Sequence, residues 1–271
     1  MMITFRPTLT SKFIRIKSTI AAVLAAGIFF LLTPSIFGAT ENEVLPFHKG
    51  ERLEFNVYFE FILGGHASMA IEETVDFDGN AAFHFVSKAR SAKAVDFFYK
   101  VRDRVESWWD VDGRFSRRFS KKLREGKHKY DREVNYFPEN NYAIAVDRKK
   151  KNVPDTLSLQ SSVQDVLSAF YKTRTYELKV GEVVGIVTED DGKIYELQVH
   201  VLRKEQVEVA AGTFDCFGVE PRLKTSGLFR KQGQMEIWLT DDERKIPVLM
   251  KSRLYFGRVW AKLQKYDLGE E

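Results

Sequence analysis

Glu51-Arg-Leu53-Glu-Phe55-Asn-Val57-Tyr-Phe59-Glu-Phe61 is the stretch whose reading decides the fold. Leu53, Phe55, Val57, Phe59 and Phe61 occupy alternate positions, with Arg52, Glu54, Asn56, Tyr58 and Glu60 between them. Successive side chains of a strand point to opposite faces, so period two over this length describes a half-buried antiparallel strand. A helix would scatter the same five apolar residues around its circumference. Downstream, Gly64-Gly65 reads as a turn into Ala67, Met69, Ile71 and Val75, again alternating. Asp78-Gly79-Asn80 then signals a tight turn before Phe83 and Phe85.

The alternation returns in the second half of the chain. Tyr195, Leu197, Val199 and Val201 follow Asp190-Asp191-Gly192, and Met235, Ile237 and Leu239 precede Asp241-Asp242-Glu243. Val248, Met250, Leu254 and Phe256 follow, then Val259, Ala261 and Leu263. Ten to thirteen short strands are expected, and the fold class is mainly β: an antiparallel curled sheet, open barrel or sandwich. One segment breaks the pattern. Val163, Val166, Leu167, Phe170 and Tyr171 form a single helical stripe, which places an amphipathic helix at about residues 161–173. Ser161 and Gln164 have capping-box spacing, Lys172 and Arg174 suit the negative end of the helix dipole, and Pro154 marks the break before it. The strand-rich halves also echo one another. Glu106, Trp108, Asp112 and Arg114 match Glu236, Trp238, Asp242 and Arg244 at a constant offset, as Lys121 matches Lys251. Duplication and a shared hairpin composition both account for this.

The 271 residues are 44% hydrophobic and 30% charged, too apolar for a disordered chain. The net charge of +4 has a local origin, because Arg6, Lys12, Arg15 and Lys17 precede the first acidic residue, Glu41. Without them the body is formally neutral, which argues against general nucleic-acid binding. Those cations, the uncharged run Ile20–Leu32 and the small residues at Gly38-Ala39 have the anatomy of a secretory signal peptide over residues 1–39. An uncleaved inner-membrane anchor is the alternative, although a spanning helix wants about 20 apolar residues. Residues 40–271 are then one β-rich periplasmic domain. Cys216, the one cysteine, excludes an internal disulfide and reads as a buried small hydrophobe.

Several motifs resemble a family of exported bacterial proteins classed as domain of unknown function 3108. They are Lys49-Gly-Glu-Arg-Leu-Glu-Phe55 with Gly64-Gly-His-Ala67, Gln164 through Arg174, Val209-Ala-Ala-Gly-Thr-Phe214, and Ile237-Trp with Arg244-Lys-Ile-Pro-Val248. The resemblance spans nearly the whole body and implies location and fold, but no activity. The Trp–acidic turn–Pro hairpin is also similar to those of LolA/LolB-like lipoprotein carriers, whose curled sheet holds acyl chains against a helix; this is an analogy of fold.

Catalytic signatures are absent: there is no G-x-S-x-G, H-E-x-x-H, Walker-type or G-x-G-x-x-G motif. His48, His66, His84, His128 and His200 lack ligand spacing, and the acidic runs lack the alternation of a calcium loop. No enzyme activity, metal or cofactor is expected; an enzyme would require His66, His84 or another polar cluster to converge in a cleft. A curled sheet leaves an apolar inner face that the helix or a ligand must fill. Leu53, Phe55, Val57, Phe59 and Phe61 with Val163, Leu167 and Phe170 are the candidate ligand lining. Arg117, Arg118, Lys121, Lys122 and Arg124, interleaved with Phe115 and Phe119, suit either edge protection or an anionic envelope partner. The expected function is non-catalytic binding of an apolar or amphipathic partner, such as lipid, lipopolysaccharide or a lipoprotein. The alternative is a structural or protein-interaction module with a fully plugged core.

Overall fold

The computed structural model describes residues 41, 44–77, 79–147, 153–223, 235–254 and 257–269. They belong to the compact unit Ile36–Glu271. The expected signal segment and the basic run at 148–151 lie outside the described residues. The strands are β1 (Glu51–Phe59), β2 (Ile62–Phe77), β3 (Asn80–Ser91), β4 (Arg102–Asp110), β5 (Ser116–Glu125), β6 (His128–Phe137), β7 (Tyr142–Asp147) and β8 (Pro154–Ser158). They continue with β9 (Val183–Asp190), β10 (Lys193–Val209), β11 (Gly212–Leu223), β12 (Met235–Thr240), β13 (Pro247–Leu254) and β14 (Gly257–Leu268). A single helical turn, α1 (Lys93–Asp96), follows β3, and the main helix α2 (Val166–Arg174) stands between β8 and β9.

All of these strands form one 14-stranded sheet, in the order β8 down to β1, then β14 down to β9. Neighbours are antiparallel throughout, and β1 pairs with β14 as well as with β2. The two edges, β8 and β9, are therefore consecutive in the chain and share no ladder. What brings them together is the connection through α2 and a set of side chains. Ser116 at the start of β5 donates its backbone N–H to the Val163 carbonyl at 3.0 Å. Gln164 donates to the Val187 carbonyl at 2.9 Å and accepts from the Glu189 N–H at 2.8 Å. Glu189 of β9, 1% exposed, accepts from Arg132 Nη2 at 2.6 Å and from the Tyr136 hydroxyl at 2.8 Å, both on β6. The sheet does not close into a barrel; its two ends are bridged by this seam of side-chain and connecting-segment hydrogen bonds, without a ladder between β8 and β9.

That seam corrects the expected helix start. Residues 161–164 lie outside the helix, with the Val163 carbonyl and the Gln164 amide and carbonyl taken by β5 and β9. Asp165 caps α2 instead of Ser161, accepting from the N–H groups of Leu167 and Ser168 at 2.8 and 2.9 Å. Two further expectations are corrected at the first hairpin. Phe59 pairs with Ile62, so Phe61 lies in the turn with Glu60, whose φ is +51°, and not on the strand face. Gly64 and Gly65 lie inside β2, where a Cβ on Gly65 would sit 2.2 Å from the Arg90 carbonyl oxygen. The glycine serves close strand approach, not chain reversal.

The paired hairpins share one device. Trp108 and Trp238 both turn away from the helix, and each is covered by a guanidinium: Arg118 at 5.0 Å and Arg203 at 5.4 Å from the ring centroid.

Inside the curl, α2 is buried on most sides, including Ser168, Thr173 and Arg174. Arg174 reaches Glu51 of β1 through two hydrogen bonds of 2.7 Å, and its side chain is wholly buried. Breaking a buried pair by removing one partner leaves an uncompensated charge and costs about 3–5 kcal/mol. Glu51→Gln or Arg174→Met alone should lower stability in urea unfolding by about that amount. The double replacement Glu51→Leu with Arg174→Met should lose clearly less than the two single losses combined.

Candidate apolar groove

The helix divides the interior into two unequal parts. Toward β1–β7 the space is filled. Tyr171 stacks on Phe85 with ring centroids 3.9 Å apart, and Phe47 meets Phe83, Phe85, Trp109 and Tyr171 edge-on at 5.3–6.0 Å. Leu53, Phe55, Ile71, Phe119 and Leu263 are at most 1% exposed in the same cluster. Toward β10–β12 the packing leaves a cavity of about 120 Å³. One wall is α2, through Val166, Ala169, Phe170 and Thr173. The opposite wall is the inner face of the sheet: Leu197 and Val199 of β10, Val219 and Pro221 of β11, and Met235, Ile237 and Leu239 of β12. Met235, 39% exposed, marks the mouth. The hydroxyl in this lining, on Thr173, already donates to the Ala169 carbonyl at 2.9 Å. A wall of alkyl groups can exclude water from an apolar segment and offers little to orient a polar one.

Of the expected lining, Phe170 reaches this groove. Leu53, Phe55, Val163 and Leu167 belong to the filled half, and Val57 is partly buried. Phe61 is 90% exposed and Phe59 36% exposed at one end of the sheet. The groove residues of β10 and β12 were visible in the sequence as alternating strand faces. Nothing local distinguished a filled inner face from an open one.

The polar groups inside the curl are organised around the helix. Asp165, fully buried, accepts from the hydroxyls of Ser107 and Ser116 at 2.6 and 2.7 Å in addition to its two cap bonds. Burial pushes its carboxyl above the ordinary range even though these four donors pull the other way. Trp109 Nε1 donates to the Gln164 side-chain oxygen at 2.9 Å, and the Gln164 amide donates to the Arg114 carbonyl at 2.7 Å. His66 and His84 do not meet. His66 pairs in register with Arg90, six positions along β3 from His84, which is roughly 20 Å at about 3.3 Å per residue. His84 stacks on Trp108 at 4.4 Å and bonds Glu106 at 3.2 Å on the outer face. Among the described residues, no group of three His, Cys, Asp or Glu side chains is placed to hold a metal ion.

The basic run on β5 is largely matched by carboxylates. Arg117 pairs with Asp110 at 2.8 Å and also with Glu139, Arg118 with Glu133 at 2.8 Å, and Arg124 with Asp131 at 2.6 Å. Lys121 lies 3.4 Å from Asp190 in the seam, while Lys122 is exposed. This stretch presents little unopposed positive charge.

The match of the DUF3108 family, described as a protein of unknown function, covers residues 54–264. No curated protein matches the chain. Among solved structures, a β-barrel-like protein of domain of unknown function DUF1849 from Brucella abortus superposes with a TM-score of 0.55 at 12% identity, covering 83% of this chain and 100% of that one. An exported protein with a YmcC-like fold from Bacteroides fragilis, so described, gives a TM-score of 0.38 at 12% identity over 84% of this chain and 99% of its own. The first likeness agrees with the curled, barrel-like sheet and speaks to fold alone.

Two outcomes test these environments. Asp165 binds its proton more readily folded than unfolded, so its contribution to stability falls as pH rises from the ordinary carboxylate range through its raised value. The stability of Asp165→Asn relative to the natural protein should therefore rise as pH is raised from the ordinary carboxylate range in urea titrations. Cys216 is fully buried and its thiol is pushed up to about 12 by burial. A thiol-reactive chromogen should leave it unlabelled in the folded protein and label it promptly in urea.

Proposed function

Since the chain belongs to the DUF3108 family of unknown function, we propose that it is an exported envelope protein that holds one apolar chain segment in the groove, without catalysis. The observation that carries this reading is the cavity of about 120 Å³ between α2 and β10–β12, walled almost wholly by alkyl groups. The basic and apolar segment at residues 1–39 supports export.

Size narrows the occupant. Sites for drug-sized ligands are usually about 300–1,000 Å³, so this groove suits part of a single acyl chain and not a multiply acylated anchor. Burying about five methylenes at about 0.8 kcal/mol each gains roughly 4 kcal/mol, which corresponds to millimolar affinity. A hold of that strength is transient unless a second contact adds to it. The groove reading therefore describes exchange of an amphipathic lipid or lipidated partner better than permanent storage.

Titration with a dansyl-labelled undecanoic acid, followed by its fluorescence, tests the reading. Native mass spectrometry of protein isolated from bacterial envelopes asks the same question of the natural occupant. The probe should bind and brighten. Val166→Trp, placed at a half-buried groove position, should weaken binding at least tenfold with an unchanged melting temperature. Ligand-free protein that never brightens the probe overturns the reading in favour of an interaction module with a plugged core.

A further inference from the structure

One end of the sheet carries loops that present apolar side chains to solvent in a way the core does not explain. At the β1–β2 turn, Phe61 is 90%, Ile62 68% and Leu63 40% exposed. In the loop between β3 and β4, Phe97 is 88%, Phe98 84% and Tyr99 52% exposed. The two loops lie on the same rim, because Gly65 pairs with Ser91 and the Ala92 N–H donates to the Gly64 carbonyl at 2.9 Å. Single exposed hydrophobics need no account, but two clusters on one rim mark an interaction surface.

The second loop is built to hold its aromatics outward. The turn α1 is closed by N–H bonds from Phe98 and Tyr99 to the Val95 carbonyl, both 2.9 Å. Asp96 ties its base, accepting from Arg102 at 2.6 and 3.0 Å and from the Ser91 hydroxyl at 2.5 Å. Phe97 and Phe98 meet edge to face at 5.2 Å, and the Tyr99 ring lies against Gly126 in the β5–β6 turn. That turn is joined to the loop by the Gly126 N–H on the Lys100 carbonyl at 2.8 Å.

Charge identifies what this rim meets. Lys93, Lys100 and Lys127 are exposed around the aromatics and form no ion pair among the described residues. Of the acids at the same rim, Asp96 is held by Arg102 and Glu60 by Arg258 at 3.1 Å, which leaves Glu125 against the three lysines. Protruding aromatic tips among exposed ammonium groups that outnumber the unpaired acids fit the headgroup layer of a bilayer. There each ring enters separately without a matching pocket, and lysines meet anionic phosphates. A protein partner would have to supply a separate hollow for each tip.

We propose that this rim docks the protein on the surface of an anionic phospholipid bilayer through Phe61, Phe97, Phe98 and Tyr99, with Lys93, Lys100 and Lys127 contacting phosphate. The site is separate from the groove and stands or falls independently of it.

Sedimentation with vesicles tests the proposal on residues 40–271, the expected mature domain, since the packed clusters among the described residues draw on residues 45–268. The protein should pellet with phosphatidylglycerol–phosphatidylethanolamine vesicles and much less with pure phosphatidylcholine. Phe61→Ser with Phe97→Ser and Phe98→Ser should reduce binding at least tenfold. Lys93→Gln with Lys100→Gln and Lys127→Gln should abolish the preference for anionic lipid. Both sets should keep the natural melting temperature and the affinity for dansyl-labelled undecanoic acid, which separates this site from the groove. A protein that stays in the supernatant with every vesicle, or an aromatic variant that pellets like the natural one, overturns the proposal.

Discussion

A curled sheet whose two edge strands are consecutive in the chain can be bridged by the segment that joins them. Here β8 and β9 are those edges, and residues 159–182 run between them. The connection falls inside the curl, where its backbone groups and side chains stand in for the missing ladder. Glu189, Arg132 and Tyr136 meet across the gap, and Val163-Gln164 bridges β5 to β9. Buried groups of this kind are costly unless paired, so their mutual bonding makes the closure specific as well as cohesive.

Position of the helix follows from that closure. Asp165 anchors its start to hydroxyls of β4 and β5, and Arg174 anchors its end to Glu51. Held at both ends, α2 presses Leu167 and Tyr171 into the filled half and leaves Val166, Ala169 and Phe170 facing β10–β12. The groove is thus a consequence of where the helix is pinned. The cavity beside α2 and the seam at its start are two results of the same geometry.

The helix stripe and the strand alternation were legible because both are short-range patterns. The start of α2 was not. Ser161 and Gln164 have the spacing of a cap, yet Gln164 is drawn away by Trp109 and by β9, partners far along the chain. Phe61 likewise keeps the alternation of its neighbours while the Phe59–Ile62 pairing places it in a turn. Of the apolar site, the helix stripe points to Phe170, but Leu53 and Phe55 are equally good candidates on pattern and lie in the packed core. The basic run on β5 gave no hint of its carboxylate partners on β4, β6 and β9, since cross-strand pairing depends on register.

By itself the sequence determined the antiparallel class, the presence of one main helix and the family, because alternation, the helical stripe and motif order reside in nearby residues. Tertiary structure decided which strands form the edges, where the helix is held and where the interior keeps a cavity. Those outcomes rest on contacts such as Glu51 with Arg174, 123 positions apart, whose energy exists only once the sheet has curled. No local pattern encodes a distance of that kind.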